Sequence, residues 1–292
     1  MAKKYRTSLI GALMAKLPRN CRLLYPLYFS TLLQTVKDSI YHPSLPEGLH
    51  GFSIAYASDV HYGPMFSKER ALDLANKLNA LQADLILLGG DYGETTKTSI
   101  KFWHLIPKLK VKKGVIAVLG NHDLWGSEAE IDSLTNLIQE KGAVLLRNSA
   151  HALNINGAKL CLVATDDGKE GKPDLTLFNR LPACDFSVFC PHSPDILPEF
   201  DQNGSYPFSL AICGHTHGGQ VALFNRSIIS SSKYGDRYRT GHMIENQTPI
   251  LVSNGVGTST MPVRLGAMPQ IHYITLLKGN EIKSHRSEYT GP

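Results

Sequence analysis

The chain has 292 residues, a length that suffices for one large or two small domains. Hydrophobic residues make up 42% and charged residues 19%, a composition that excludes a disordered chain. The basic excess behind the net charge of +5 lies in the first 40 residues, which hold seven basic residues and one acidic residue. Because the remainder is near neutral, a nucleic-acid enzyme with basic charge spread around its site is not expected.

Residues 1–50 are predicted to form a basic, apolar N-terminal arm. Its apolar side chains recur at helical spacing, at Leu9, Ile10, Leu13 and Leu17. No apolar run reaches the roughly 20 residues that a spanning helix needs, and no signal-peptide cleavage site is evident. Two interpretations stay open: residues 1–40 lie on a membrane surface, or they form a helix that packs on the body or contacts another copy.

Residues 51–292 are predicted to form a single domain in which strands and helices alternate. Strands are expected at residues 52–57, 84–88 and 114–119, and helices at 68–81, at 98–109 as far as Pro107, and at 127–141. Ser127 and Glu130 are spaced as a capping box at the start of the third helix. After Leu160 strands dominate, which completes an α/β pattern.

The five cysteines form no CxxC pair and no even framework. They are Cys21, Cys161, Cys184, Cys190 and Cys213. This usage favours free, mostly buried thiols in a reducing compartment. A cytoplasmic chain, peripheral on the inner face of the membrane, is therefore predicted.

Metal-ligand side chains follow the predicted apolar strands. The set is Asp59, His61, Asp91, Asn121, His192, His215 and His217. Glycines beside these residues let the backbone turn sharply, so that Asp91 could bridge two ions. Carboxylate and amide oxygens suit hard divalent ions, and imidazole suits Zn, Fe or Mn. Two ions about 3.5–4 Å apart would polarise a phosphoryl oxygen and activate water.

The ordered blocks resemble the calcineurin-like metallophosphoesterase superfamily. They are Asp59-x-His61, Gly90-Asp91, Gly120-Asn121-His122-Asp123, His192 and Gly214-His215-Thr216-His217. The resemblance runs from Ile54 to Gln220 and implies a four-layer αββα sandwich of two mixed sheets flanked by helices. It implies two ion sites, one with Asp59, His61, Asp91 and His217, the other with Asp91, Asn121, His192 and His215. It also places His122 beside the leaving group, as its proton donor.

Departures from the family pattern indicate which branches of the family this chain does not resemble. Glu94 stands where the family has a second aspartate, and it is expected to orient His122, with Asp123 as the substitute. The arginine of the protein Ser/Thr phosphatases and the tyrosine ligand of the purple acid phosphatases are both absent at this block, so neither branch is expected. Arg264 and Arg147 are candidate phosphate contacts, although Arg264 could equally form an ion pair with the body.

The segments 214–220 and 253–264 resemble a bacterial branch of phosphodiesterases, several of them membrane-associated. Some of these resemble enzymes that split the pyrophosphate of UDP-2,3-diacylglucosamine. The resemblance implies hydrolysis of a phosphodiester or pyrophosphate bond, in a lipid-linked substrate, with two ions of Mn, Zn or Fe. The alternatives are a broad phosphomonoesterase or nucleotide hydrolase, and a non-catalytic scaffold stabilised by metal.

Overall fold

A computed structural model describes residues 13–14, 16–18 and 24–290, the last four by their backbone alone. Leu9, Ile10 and Cys21 lie outside the described residues, whereas Leu13 and Leu17 are exposed. Every helix in the described part is too short or too polar to cross a bilayer.

The described helices and strands are as follows in chain order. They are α1 (Tyr25–Phe29), β1 (Gln34–His42), β2 (Ser53–Ala57), α2 (Lys68–Ala80), β3 (Leu85–Leu88), α3 (Thr96–Leu105), β4 (Val115–Val118), α4 (Glu128–Glu140), β5 (Ala143–Leu146), β6 (Ser149–Ile155), β7 (Ala158–Ala164), β8 (Phe186–Phe189), β9 (Leu210–Cys213), β10 (Ala222–Leu223), β11 (Arg226–Ser227), β12 (Gly241–Glu245), β13 (Thr248–Val252), β14 (Gln270–Lys278) and β15 (Lys283–Thr290). Short 3₁₀ helices lie in several connections.

Two mixed sheets form the centre of the fold. The first has the strand order β15-β1-β14-β2-β3-β4-β5, and the second has the order β12-β13-β9-β8-β7-β6. Strands β2 to β5 run parallel to one another, as do β7, β8, β9 and β13. The predicted α/β class with two mixed sheets flanked by helices is confirmed.

The central strands are apolar throughout because both of their faces are covered. In β2, Ile54 and Tyr56 face the second sheet, whereas Ala55 and Ala57 pack beneath the helices. Helices α2, α3 and α4 cover the first sheet with one apolar face each. The outer face of the second sheet is covered by loops and by the 3₁₀ helices Leu177–Arg180 and Pro194–Phe200. The fourth layer is therefore made of 3₁₀ turns and loops.

Helix boundaries follow local chemistry. Helix α4 begins after the predicted capping box, in which Glu130 N–H donates to Ser127 Oγ and Ser127 N–H donates to Glu130 Oε2. Helix α3 ends at Leu105, close to its predicted end at Pro107, because Ile106 precedes the proline and takes an extended conformation.

The predicted arm of residues 1–50 overlaps the folded body. Strand β1 lies inside the first sheet, parallel to β14 and antiparallel to β15. Its buried Asp38 accepts hydrogen bonds from His242 and His272, each at 2.6 Å. The sheet thus begins at Gln34, and the arm can comprise only the residues before it.

Cys161 and Cys184 form a disulfide, so the prediction of free thiols is wrong for this pair. Cys161 lies buried on the outer face of β7, and Cys184 follows 23 residues later on the segment before β8, with the Cα atoms 6.0 Å apart. Sequence spacing alone does not reveal such a contact. Cys190 and Cys213 are free and buried, as predicted. Because disulfides are rare in reducing compartments, the bond weighs against a cytoplasmic location.

Candidate metal centre

The predicted metal ligands lie in loops that leave the carboxyl ends of strands in both sheets. Asp59 and His61 follow β2, and Asp91 follows β3. Asn121 follows β4, His192 follows β8, and His215 and His217 follow β9. Because these strands end at the same side of the sandwich, their loops meet there. Six of the ligands form two groups with atoms within 4.8 Å of one another: Asp59, His61 and His217, and Asp91, His192 and His215.

Asp91 belongs to the second group and also lies close to the first. Its Oδ2 is 3.6 Å from His61 Nε2 and 3.3 Å from His192 Nε2. In the first group, His217 Nε2 lies 3.0 Å from His61 Nε2. In the second, His215 Nδ1 lies 3.3 Å from His192 Nε2. The ring nitrogens thus converge on the two sides of a shared carboxylate.

The ligand loops hold an unusual backbone conformation. Five of the seven ligands have positive φ angles: Asp59, His61, Asp91, His215 and His217. Such angles are uncommon for residues other than glycine, and they concentrate at functional sites. Gly90 also has a positive φ, and a Cβ there would lie 2.5 Å from Gly120 N, so the loops after β3 and β4 could not approach as they do.

The donor set fits divalent metal ions. Asn121 Oδ1 is buried and has no hydrogen-bond partner among the described residues. Burial lowers the pKa of His61 and of His217 well below the ordinary value, so both rings are neutral and keep a lone pair for a metal. Burial alone would raise the pKa of Asp91, but the neighbouring histidines hold it well below its usual range. His192 Nδ1 donates to Gly89 O at 2.7 Å, which leaves Nε2 for an ion.

His122 lies beside the ligands and lines the cleft above them. Its ring is 4.6 Å from that of His61 and 3.7 Å from that of Trp125. Its Nδ1 lies 3.1 Å from the backbone oxygen of Glu94, so the main chain of Glu94, and not the carboxylate that the sequence suggested, contacts the ring. The Glu94 carboxylate instead lies 3.9 Å from His61 Nδ1, and burial raises its pKa to about 8.

A family model of calcineurin-like phosphoesterases matches residues 52–219, which contain every predicted ligand. The chain belongs to this family. It is 31% identical over 264 residues to the uncharacterized metallophosphoesterase YkuE of Bacillus subtilis (strain 168), with 89% of each chain covered. It is 25% identical over 261 residues to an uncharacterized metallophosphoesterase of Aquifex aeolicus (strain VF5), with 85% of this chain and 94% of that one covered.

Among solved structures, the phosphoesterase resembles the NAD nucleotidase NadN of Haemophilus influenzae, with a TM-score of 0.51 and 13% identity. The alignment covers 82% of this chain and 55% of that one. At this identity the likeness concerns the fold alone.

Asp123 does not face His122 in the phosphoesterase, contrary to its predicted role as the substitute for Glu94. Its carboxylate accepts four hydrogen bonds, from the backbone N–H of Asp91, Tyr92 and Gly120 and from the hydroxyl of Ser99. Asp123 therefore ties the loop after β4 to the loop after β3.

Neither predicted phosphate-binding arginine lines the cleft. Arg264 is completely buried, and its guanidinium donates to backbone oxygens rather than to a carboxylate. Those oxygens belong to His217, Asn254, Gly255, Gly257 and Ala267. Arg264 thus fixes the loop that carries His217. Arg147 is partly exposed and donates to Asp166 Oδ2 at 2.9 Å.

Two cavities meet at the centre. The cleft over the ligands has a volume of about 450 Å³, and an adjoining cavity has about 560 Å³. They share Lys169, His215 and Ser231. Lys169 and Trp125 were not predicted as site residues. Lys169 follows β7 in the run Thr165-Asp166-Asp167-Gly168, which is the same kind of polar strand end that identified the ligands.

Proposed function

We propose that the phosphoesterase hydrolyses a phosphodiester or pyrophosphate bond at a centre of two divalent ions of Mn, Zn or Fe. The position of Asp91 between two groups of imidazole nitrogens carries this proposal. One ion would be held by Asp59, His61, Asp91 and His217, the other by Asp91, Asn121, His192 and His215. Such a pair of ions polarises a phosphoryl oxygen and activates water.

His122 is proposed as the residue that protonates the leaving oxygen. The contact of Nδ1 with Glu94 O and the packing on Trp125 hold the ring in one orientation. Because Nδ1 donates to Glu94 O, Nε2 can give a proton to the leaving group only when the ring is an imidazolium. Burial lowers the pKa of His122, so this form is favoured by lower pH. The backbone N–H of His122 donates to Asp91 Oδ1 at 2.8 Å. This hydrogen bond fixes the position of His122 relative to the Asp91 carboxylate.

The two adjoining cavities favour a phosphorus atom with a substituent on each side, as in a diester or pyrophosphate. Lys169 lies where the cavities join and offers a positive charge to the substrate. The second cavity includes the apolar residues Pro173, Leu175 and Ile196. These residues support an amphiphilic substrate, of which UDP-2,3-diacylglucosamine is the specific candidate, presented at a membrane near residues 1–40.

The test compares bis(p-nitrophenyl) phosphate with p-nitrophenyl phosphate, using the full chain loaded with Mn²⁺. We expect a higher kcat/KM for the diester. A clear preference for the monoester would instead support a broad phosphomonoesterase or nucleotide hydrolase. His122→Ala is expected to retain its metal and to lose about 10²- to 10⁴-fold in turnover. Equal turnover by wild type and Asp91→Asn would indicate that a contaminant causes the activity, and would support a non-catalytic scaffold.

A further inference from the structure

Exposed hydrophobic side chains concentrate at the β10–β11 hairpin. Phe224, at its tip, is fully exposed, and Leu223, Ile228 and Ile229 are 47%, 61% and 75% exposed. Large apolar side chains exposed within seven residues of sequence are typical of an interaction surface.

The hairpin backbone projects Phe224 outward at an energetic cost. Phe224 and Asn225 form the turn with φ angles of 49° and 61°. Turns of this kind favour asparagine and glycine, and an aromatic residue is unusual in them. The base of the hairpin is held in place, because Ala222 N–H donates to Leu265 O at 2.8 Å and Ser227 N–H donates to Asp236 Oδ2 at 3.2 Å. The exposed tip is therefore a built feature of the fold.

The hairpin lies at the mouth of the catalytic cleft. Ser230 and Ser231, which directly follow Ile228 and Ile229, line the cleft over the metal ligands. Ser231 also lines the adjoining cavity, whose wall includes the partly exposed Leu175. The segment that follows the hairpin therefore forms part of the wall of both cavities.

Basic residues are frequent in the sequence around this apolar tip. Residues 221–242 contain four basic residues and one acidic residue: Arg226, Lys233, Arg237, Arg239 and Asp236. Lys233 and Arg237 contact Glu199 and Glu245, whereas Arg226 is exposed at the end of the turn.

Helix α1 packs on the body beside the hairpin. Pro26 O in α1 accepts a hydrogen bond at 2.8 Å from the backbone N–H of Arg264, and Leu265 pairs with Ala222 of β10. Apolar side chains that protrude among basic ones match the surface of an anionic bilayer.

We propose that the β10–β11 hairpin inserts into the surface of an anionic lipid bilayer and holds the cleft against the membrane. The docking rests on the exposed hairpin and on the basic residues near it in the sequence. The idea that it presents an amphiphilic phosphodiester to the centre rests on the function proposed above.

The test measures flotation of the full, Mn²⁺-loaded chain with vesicles of phosphatidylcholine alone or with added phosphatidylglycerol. The variant Phe224→Ser/Ile228→Ser/Ile229→Ser is expected to bind anionic vesicles about tenfold more weakly or worse, since three apolar side chains leave the lipid. Its hydrolysis of bis(p-nitrophenyl) phosphate in solution should equal that of wild type. The matched control is Ile244→Ser, which changes a 49% exposed isoleucine on β12 and should bind as wild type does.

A reporter at the tip measures insertion directly. Phe224→Trp should show a blue shift of tryptophan emission with anionic vesicles and a smaller one with neutral vesicles. Absence of vesicle binding by wild type, or equal binding by the triple variant, overturns the proposal. Self-association of wild type that the triple variant abolishes, without vesicle binding, would assign the hairpin to a contact between copies and also overturn it. Vesicle binding through the hairpin without diester turnover would sustain the docking and refute the proposed function.

Discussion

Replacement of Arg264 by methionine tests how the phosphoesterase holds its ligand loop. The guanidinium donates to backbone oxygens of His217, Asn254, Gly257 and Ala267, all inside the protein. Each of these four buried carbonyl oxygens costs about 1 kcal/mol or more when it loses its donor. The gross loss in the free energy of unfolding is therefore roughly 4–5 kcal/mol. The substitution also removes a buried charge, and this offsets part of the loss. Burial disfavours the charged guanidinium, which lowers the pKa of Arg264 to about 9. A net loss of about 3 kcal/mol in the free energy of unfolding is expected.

The assay combines urea unfolding of the metal-loaded chain, metal analysis and steady-state hydrolysis of bis(p-nitrophenyl) phosphate. Arg264→Met should unfold at lower urea and retain less metal, because the loop that carries His217 is released. Arg147→Met is the matched control, and its loss should stay below about 1 kcal/mol since Arg147 is partly exposed. A variant that keeps its stability and metal but raises KM alone would refute the buried scaffold role and restore Arg264 as a substrate contact.

Three further predictions concern residues that the sequence did not assign correctly or at all. Asp123→Ala should lower the free energy of unfolding by about 3–5 kcal/mol, measured by urea titration, because four buried donors lose their acceptor. Asp38→Asn should cost about 3 kcal/mol at neutral pH. Burial opposes ionisation of Asp38, but hydrogen bonds from His242 and His272 hold its pKa well below 3.8, so its stabilisation is complete above about pH 4 and lost below. The gap between wild type and variant in unfolding titrations should therefore shrink as the pH falls. Cys184→Ser should cost about 2–4 kcal/mol under oxidising conditions and nothing under reducing ones, since it opens a 23-residue loop.

The grouping of the predicted metal ligands could be anticipated because their signals are local. Each stands beside a glycine or at the end of an apolar strand, and parallel strands bring such ends together. Strand β1 could not be recognised in the same way, because Lys37 and Asp38 interrupt its apolar pattern. Asp38 is tolerated inside because three residues more than 200 positions later donate hydrogen bonds to it: His242, His272 and Arg286.

The roles of Arg264 and Asp123 depend on packing rather than on residue type. A guanidinium suits a phosphate and a cage of carbonyl oxygens equally well, and only burial separates the two. A carboxylate next to His122 could face the ring or the neighbouring loop, and in the fold it faces the loop. The disulfide of Cys161 depends likewise on where the segment before β8 crosses the sheet.

The central claim is that Asp91 joins two ions in one catalytic centre. The most direct measurement is the metal content per chain after reconstitution with Mn²⁺, for wild type and Asp91→Asn, with diester hydrolysis measured on the same samples. The account predicts two ions per wild-type chain, fewer in the folded variant, and turnover only in wild type. A folded wild-type chain that hydrolyses the diester with one ion or none, or undiminished turnover in Asp91→Asn, would contradict it.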